Sequence, residues 1–448
     1  MGDPRADLFP PARLPMFQTI RGTFDILPDT QDSGKQLVPG AAMWRHLEER
    51  VRGVMARFGF EEIRTPILEP LGLIARGVGL TTDIVQKEMF VVQRGDEDYV
   101  LRPEVTAPVM RSYLQHSLGQ RGGAQRLYYI GPCFRAERPQ KGRFRQFHQF
   151  GIELIGPDGP LADAEAIACL LAVYDAFGIT GTRLRINSLG DSESRSRYRE
   201  ALKAYFEPFR DRLSETSRQR LETNPLRILD TKSEDERALL VDAPRFTEFL
   251  GDEARSHFET VKLRLGSLGI RYVEDPMLVR GLDYYTGVVF ELESDDLGSQ
   301  SALAAGGRYD GLAESVGGKQ PVPAVGWAAG VERLFMALQG SGYAFPEPDR
   351  PDVFLVGLGE EAQTWVLVEA QRLREVELRV EYDLMGRSMK SQMKEANRQR
   401  ARFAVIVGED ELASGIATVR DLDSSEQSGV EFSELTEQLL RPPEKSMS

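Results

Sequence analysis

The sequence predicts a large α+β domain with a mainly antiparallel sheet, flanking helices and a helical insertion, followed by a small α/β domain. Three observations lead there. Strand signals before residue 300 are separated by turns or long connections rather than by regular crossover helices, a charged helical stretch interrupts them between Asp191 and Phe249, and strand and helix alternate after Asp352. The 448 residues exceed what one hydrophobic core usually supports, so domains are expected at 1–345, with the insertion at 191–255, and at 346–448.

Taken in order, Trp44, Leu47, Val51, Val54, Met55 and Phe58 recur at helical spacing, with Gly59 placed as a C-terminal cap. The run from Phe60 to Pro70 reads as one strand, and Pro66, which cannot donate to a ladder, assigns it to an edge, a bulge or an interface. Further strands are expected at Tyr99–Arg102, Arg126–Ile130, Arg145–Leu154, Arg183–Ile186 and Val288–Leu292. Gly and Pro crowd the stretch from Gly340 to Pro351, which reads as a linker. Beyond it, strands at Asp352–Gly357, Leu378–Tyr382 and Ala404–Gly408 alternate with helices.

Composition narrows the function classes. With 56 Lys and Arg against 69 Asp and Glu, the net charge is −13, so contact with a polyanion must come from local basic patches. Cys133, Cys169 and the four histidines show no spacing that assembles a metal site, so no metal ligands are expected, and so few cysteines suit a reducing compartment. The stretch from Met1 to Phe17 carries Asp3 and Asp7 without an apolar run, unlike a signal or transit peptide. No segment approaches about 18 uninterrupted apolar residues, which leaves a cytoplasmic protein with no membrane partner as the expectation.

The chemistry concentrates between Gly131 and Gly156. Arg135, Arg138, Lys141, Arg143 and Arg145 stand against Glu137 on a loop punctuated by Pro139 and Gly142. On composition alone this hairpin is equally a solvated turn or a set of cations presented to phosphate. A regular following strand puts Arg145, Phe147, Gln149, Gly151 and Glu153 on one face, which reads as a ligand surface approached closely at Gly151.

Order and spelling decide between the two. Phe134-Arg135-Ala136-Glu137-Arg138-Pro139 through Gly142-Arg143-Phe144-Arg145 to Phe147 and Gln149 resembles motif 2 of class II aminoacyl-tRNA synthetases, and more narrowly that of the histidyl-tRNA synthetases. Leu278 to Glu291 and Ala304 to Leu312 look like the two histidine-specific signatures, Ala324 to Leu334 is similar to motif 3, and Trp44 to Pro70 serves as motif 1, the dimer interface. Asn224 to Lys232 matches a family segment inside the insertion. The resemblance spans nearly the whole chain and implies the class II synthetase fold with a C-terminal anticodon-binding domain.

It also implies an activity. Histidine and ATP give histidyl-adenylate and pyrophosphate, and histidine then passes to the 3′ end of tRNA(His). Arginines suit such a site because their planar fork binds oxyanions bidentately and stays charged. By resemblance, Arg135 holds the α-phosphate, Arg143 the outer phosphates and Arg333 the adenine or γ-phosphate, while Arg280 joins Arg135 as a catalytic residue and also contacts histidine. Glu104, Thr106 and Gln149 fall to the amino-acid backbone, and Glu153, Tyr284 and Tyr285 to the imidazole, whose two nitrogens a carboxylate and a phenol can bond. The chain departs from the family pattern at Val105, where glycine is common. Mg²⁺ is expected with ATP, and a homodimer is implied by motif 1.

On the RNA side, Arg387, Lys390, Lys394 and Arg398 are expected on one face of a tail helix, a stripe able to track phosphates. By itself such a stripe is more often a solvated face, but its surroundings resemble the family's anticodon-binding domain. Arg138 and Gln140 of the motif 2 loop are the candidates for acceptor-stem contact. Other readings share the fold: the histidine-binding regulatory subunit of ATP phosphoribosyltransferase, a non-catalytic synthetase-like tRNA sensor, or a different class II synthetase. The complete motif 2, Arg280, Glu104, the two histidine signatures and the C-terminal α/β domain argue against them.

Overall fold

A computed structural model describes residues 17–28, 39–140, 142–229, 231, 233–294, 301–347 and 349–441. The N-terminal stretch to Met16, Lys141 of the basic loop, and Asp230 and Lys232 of the insertion segment lie outside the described residues. The chain divides into two compact units, Met1–Pro346 and Glu347–Ser448.

The first unit is built on an eight-stranded sheet. Its order is Glu61–Glu62, Gln125–Phe134, Gln146–Ile155, Ala324–Gly330, Ala302–Arg308, Thr286–Ser294, Thr182–Ser188 and Val273–Glu274. The six inner strands are antiparallel, and only the two-residue edge strands pair in parallel. Because side chains alternate along a strand, each face has its own task. One buries Phe150, Ile152, Leu154, Trp327, Phe290 and Leu292 in the main core. Helices Ala41–Arg57, Pro160–Ala176, Asp252–Ser267 and Val331–Gly340 supply the other side of that core through Trp44 and Leu47, Leu170 and Tyr174, Phe258 and Val261, and Leu334 and Leu338. The helix that begins at Asp252 therefore packs with the sheet, although it follows directly on the insertion. The opposite face carries the candidate site.

Gly59 follows the Ala41–Arg57 helix at φ +70°, the left-handed turn expected of that glycine. The stretch from Phe60 to Pro70 is not one strand. Glu61–Glu62 pairs at the edge of the large sheet, whereas Leu68–Pro70 pairs with Glu97–Leu101 in a separate three-stranded sheet completed by Phe90–Arg94. Pro66 lies in the break between them, where its missing N–H costs no ladder bond. The glycine- and proline-rich stretch also departs from a free linker at its start. Tyr343 and Phe345 pack on the main core, and Tyr343 Oη lies 2.9 Å from His46 Nε2. Aromatic side chains anchor what the Gly and Pro content made look loose.

Between Asp191 and Leu250 the described residues form helices and turns whose Tyr198, Leu202, Phe206, Leu221 and Phe246 join a second buried cluster shared with Leu73, Leu127 and Tyr284 of the sheet domain. Asp191 caps the first of them, accepting from the Ser194 backbone N–H at 2.7 Å. The second unit holds a five-stranded sheet ordered Val380–Tyr382, Val353–Gly357, Phe403–Val407, Ile416–Asp421 and Gln427–Glu431. Its first three strands are parallel and the last two add antiparallel, with helix Glu360–Glu375 burying Val366 and Leu373 against it.

Candidate active site

The site face of the sheet is set by register. Tyr129, Gly151, Ala328, Ala305 and Glu291 stand opposite one another across five strands, and Gly131, Gln149 and Gly330 form the row beside them. Above these rows opens a cavity of about 410 Å³. Nine of the sequence-predicted residues line it: Glu104, Thr106, Arg135, Arg143, Gln149, Arg280, Tyr284, Tyr285 and Arg333. Residues almost 230 positions apart thus meet in one space.

One end of the cavity is cationic. Arg280 Nη1 donates to Glu291 Oε2 at 2.6 Å, and its guanidinium lies 5.9 Å from the Tyr285 ring centre. Burial works against this cation, yet Glu291 and the neighbouring phenols outweigh it and hold its pKa above the ordinary arginine value. Arg143 pairs with Glu137 at 3.0 Å, and Arg135 donates to the Pro103 carbonyl at 3.1 Å while lying over Phe147. Arg333 donates to the Ala302 carbonyl, and burial together with Arg143 and Arg135 lowers its pKa. Arg333 thus stands close to two other guanidiniums, and an anion in the space they border would relieve that crowding of positive charge.

The other end is acidic and aromatic. Glu104 precedes helix Thr106–Gln115 and accepts from the backbone N–H groups of Thr106 at 2.7 Å and Ala107 at 3.0 Å. Its burial raises its pKa, and these two bonds oppose the rise. Val105, the departure from the family pattern, sits at φ −118°, ψ −15° with its side chain buried, so this backbone needs no glycine. Gln149 Oε1 lies 3.3 Å from Cys133 Sγ, a thiol that burial pushes up to about 12.

Two expectations need correction. Arg145 does not face the ligand surface; its Nη1 donates to the Arg21 carbonyl at 3.3 Å. The space over Gly151 is not a place for a ligand, because a Cβ there would lie 2.6 Å from the Tyr129 hydroxyl and would overlap the Trp327 carbonyl. Glu153 shares the strand face but lies below the cavity wall, 1% exposed. Its Oε2 accepts from the Tyr309 hydroxyl, its Oε1 has no protein partner, and burial raises its pKa to about 8. Tyr309 escaped the sequence reading as a site residue. It packs on Tyr284 with ring centres 5.6 Å apart, and the only cue was its place between Arg308 and Asp310 in the second histidine-like signature. Glu291 likewise stands at the end of the first signature with nothing in its spelling to mark it as a site residue.

Arg138 and Gln140 are exposed on the hairpin, with Gln140 and Arg143 joined by backbone bonds across its turn. In the second unit, helix Met389–Arg398 carries Lys390, Lys394 and Arg398. Arg387 falls outside that helix, because Asp383 accepts both its backbone N–H and its side chain. Arg398 pairs with Glu395, which this contact holds down at about 2. The four-residue stripe reduces to two exposed lysines and two arginines already matched to acids.

Comparison with known proteins decides the family. A family model described as histidyl-tRNA synthetase matches residues 35–334, and one described as anticodon binding domain matches 352–441. The chain belongs to the histidyl-tRNA synthetase family. A histidine–tRNA ligase of Chloroherpeton thalassium is 48% identical over 421 residues, covering 93% of this chain and 96% of that protein. One of Chlorobium luteolum is 46% identical over 430 residues, covering 95% and 97%. Among solved structures, apo S. aureus histidyl-tRNA synthetase superposes with a TM-score of 0.78 at 36% identity, over 95% of this chain and all 100% of that one. A protein of Bacillus halodurans C, described as an ATP phosphoribosyltransferase regulatory subunit/histidyl-tRNA synthetase, gives 0.62 at 25% identity, covering 88% of this chain and 99% of that one. The family's class II fold and its C-terminal anticodon-binding domain account for the two units.

Proposed function

We propose that the chain is a histidine–tRNA ligase: it joins L-histidine to the α-phosphate of ATP, releasing pyrophosphate, and passes the histidyl group to the 3′ end of tRNA(His). One observation carries the reading: four arginines and a tyrosine- and glutamate-lined slot share a single cavity. In the first step a histidine carboxylate oxygen bonds to the α-phosphorus while the bond to the bridging oxygen breaks, so charge builds on the phosphates and pyrophosphate leaves. Arg135 and Arg280 are assigned to the α-phosphate, Arg143 to the outer phosphates and Arg333 to the adenine or γ-phosphate. Held in place before substrate arrives, such cations stabilise developing charge without reorganisation. Glu104, Thr106 and Gln149 take the amino-acid backbone. Glu153, Tyr284 and Tyr285 take the imidazole, and the partnerless Glu153 Oε1 supports that assignment. In the second step a terminal ribose hydroxyl attacks the acyl carbon and AMP departs.

Mg²⁺ belongs with the nucleotide in this reading. It is commonly held by one or two carboxylates plus substrate phosphates, where it neutralises phosphate charge. Glu137 and Glu291 line the cavity but are paired with Arg143 and Arg280, so the protein would offer the ion little beyond the substrate's own phosphates, and the described residues contain no group of three acidic, His or Cys ligands. We assign Arg138 and Gln140 to the acceptor stem, and Arg387, Lys390, Lys394 and Arg398 to the tRNA backbone. We also assign a homodimer. Leu68, Val91 and Val92 on the three-stranded sheet, with Ile67 just before it, are each at least 40% exposed, apolar surface that a second subunit would cover.

Histidine-dependent ATP–pyrophosphate exchange, followed by charging of tRNA, tests the function. Exchange with histidine alone among the amino acids is the expected result. No exchange would sink the enzyme in favour of a regulatory or sensing role, and exchange with another amino acid would sink the specificity. Sedimentation at micromolar concentration tests the dimer.

A further inference from the structure

The helical insertion reaches the active-site loop through a small set of polar contacts. Residues 280–285, which carry Arg280 and both tyrosines, run between the Val273–Glu274 and Thr286–Ser294 strands. Behind the loop lies a cavity of about 230 Å³ bordered by Arg195, Asn224 and Arg227 of the insertion. Leu226 of the insertion borders it together with Val279, just before the loop, and Leu282 within it, so apolar contact supports the loop there while hydrogen bonds fix its backbone atoms. Arg227 Nη2 donates to the Gly281 carbonyl at 2.9 Å and its Nη1 to the Thr81 carbonyl at 3.2 Å. Arg195 donates to the Asp283 carbonyl at 3.4 Å and to the Tyr285 carbonyl. On the loop these contacts fall on the backbone oxygens of Gly281, Asp283 and Tyr285, directly after Arg280 and around the tyrosines.

Asp283 is where these contacts converge. Its Oδ1 accepts from Asn224 Nδ2 at 3.2 Å, its Oδ2 from Thr81 Oγ1 at 3.0 Å, and its backbone N–H donates to the Val78 carbonyl at 3.0 Å. Gly79 makes room for it, because a Cβ there would lie 2.7 Å from the Asp283 Cβ. One carboxylate therefore joins the insertion, the turn after helix Leu71–Val78 and the catalytic loop.

We propose that Asp283, Asn224 and Arg227 are positioning residues, through which the insertion fixes Arg280 for the chemical step. This rests on the ligase reading of Arg280. A group that acts in the transition state loses turnover when displaced, and a misplacement of an ångström costs on the order of a hundredfold.

The test is histidine-dependent ATP–pyrophosphate exchange in the full-length protein. Asn224→Ala and Arg227→Ala are expected to lower kcat by about tenfold to a hundredfold while the histidine KM moves by less than about threefold. Their Tm should stay within about 2 °C of the parent's. Asp283→Asn, which keeps one oxygen acceptor, should recover part of the turnover lost in Asp283→Ala. Lys203→Ala, which alters an ion pair with Glu222 inside the insertion, should leave exchange unchanged. In an Arg280→Ala background, adding Arg227→Ala should cost little more. Parental kcat in Asn224→Ala and Arg227→Ala, or losses that multiply with that of Arg280→Ala, would overturn the proposal. Full activity in Arg280→Ala alone would instead overturn the ligase reading of the loop.

Discussion

Arg280 and Glu291 join in the wall of the active-site cavity at 2.6 Å, one on the catalytic loop and the other at the end of the row of residues that crosses the sheet. The glutamate therefore holds the guanidinium before any substrate is bound. Glu291→Gln keeps the shape and removes the charge, so Arg280 should lose its fixed orientation. The expected result is a fall in exchange kcat of about tenfold with a nearly constant histidine KM. An unchanged kcat would show that the pair does no orienting.

Glu153 makes stability depend on pH. Burial raises its folded pKa to about 8, whereas an unfolded glutamate titrates near 4.3. Between those values the folded protein holds a proton that the unfolded chain has released. This contribution to stability is complete below about pH 4.3 and is lost as pH rises to about 8. Thermal melts of the parent and Glu153→Gln across that window should show a smaller decline in the variant. Parallel curves would mean that Glu153 is already ionised in the fold.

Val105 should be structural. Its backbone accepts any L-residue and its side chain is 1% exposed, so Val105→Gly removes buried surface and adds unfolded-state freedom. The loss should be about 2–4 kcal/mol by denaturant titration, with kcat retained below the transition. A gain in stability would contradict this.

Gly326 borders Glu153 so closely that an added Cβ would overlap its carboxylate and the Ile152 carbonyl. Gly326→Ala should therefore weaken histidine binding more than ATP binding, since it pushes on the imidazole end. Isothermal titration with each substrate reads the difference, and equal losses would argue for a general disturbance of the sheet.

Lys390→Ala and Lys394→Ala together should raise the KM for tRNA and flatten its dependence on salt, with exchange unaffected. Arg387→Ala should do less for tRNA, because Asp383 already holds that side chain. The reverse order would reassign the contact.

How much of this was legible follows from what kind of signal each feature sends. Alternation along residues 146–155 placed Gln149 and Glu153 on one face and Phe150 and Ile152 on the other, because a strand's period is fixed. The arginines were readable from motif spelling, since oxyanion chemistry limits the side chains that serve. The depth of Glu153 was not readable: its burial depends on Gly326 of the neighbouring strand and on Tyr309, just past the end of strand Ala302–Arg308. Arg145 and Arg387 were misjudged for a similar reason, as their partners Arg21 and Asp383 were invisible to a count of charges. Strand Ala302–Arg308 lacks the β-branched and aromatic pattern of an ordinary strand and is held by its neighbours.

That same strand, with Ala324–Gly330, gives the binding cavity a floor of Ala304, Ala305, Ala328 and Gly330. Every substitution of a glycine, and nearly every substitution of an alanine, adds atoms. Along this wall, single mutations can make the chamber shallower but scarcely deeper. Drift toward a bulkier amino acid is closed from below and has to begin among the tyrosines, so the smallest residues in the site set the upper limit on what it can admit.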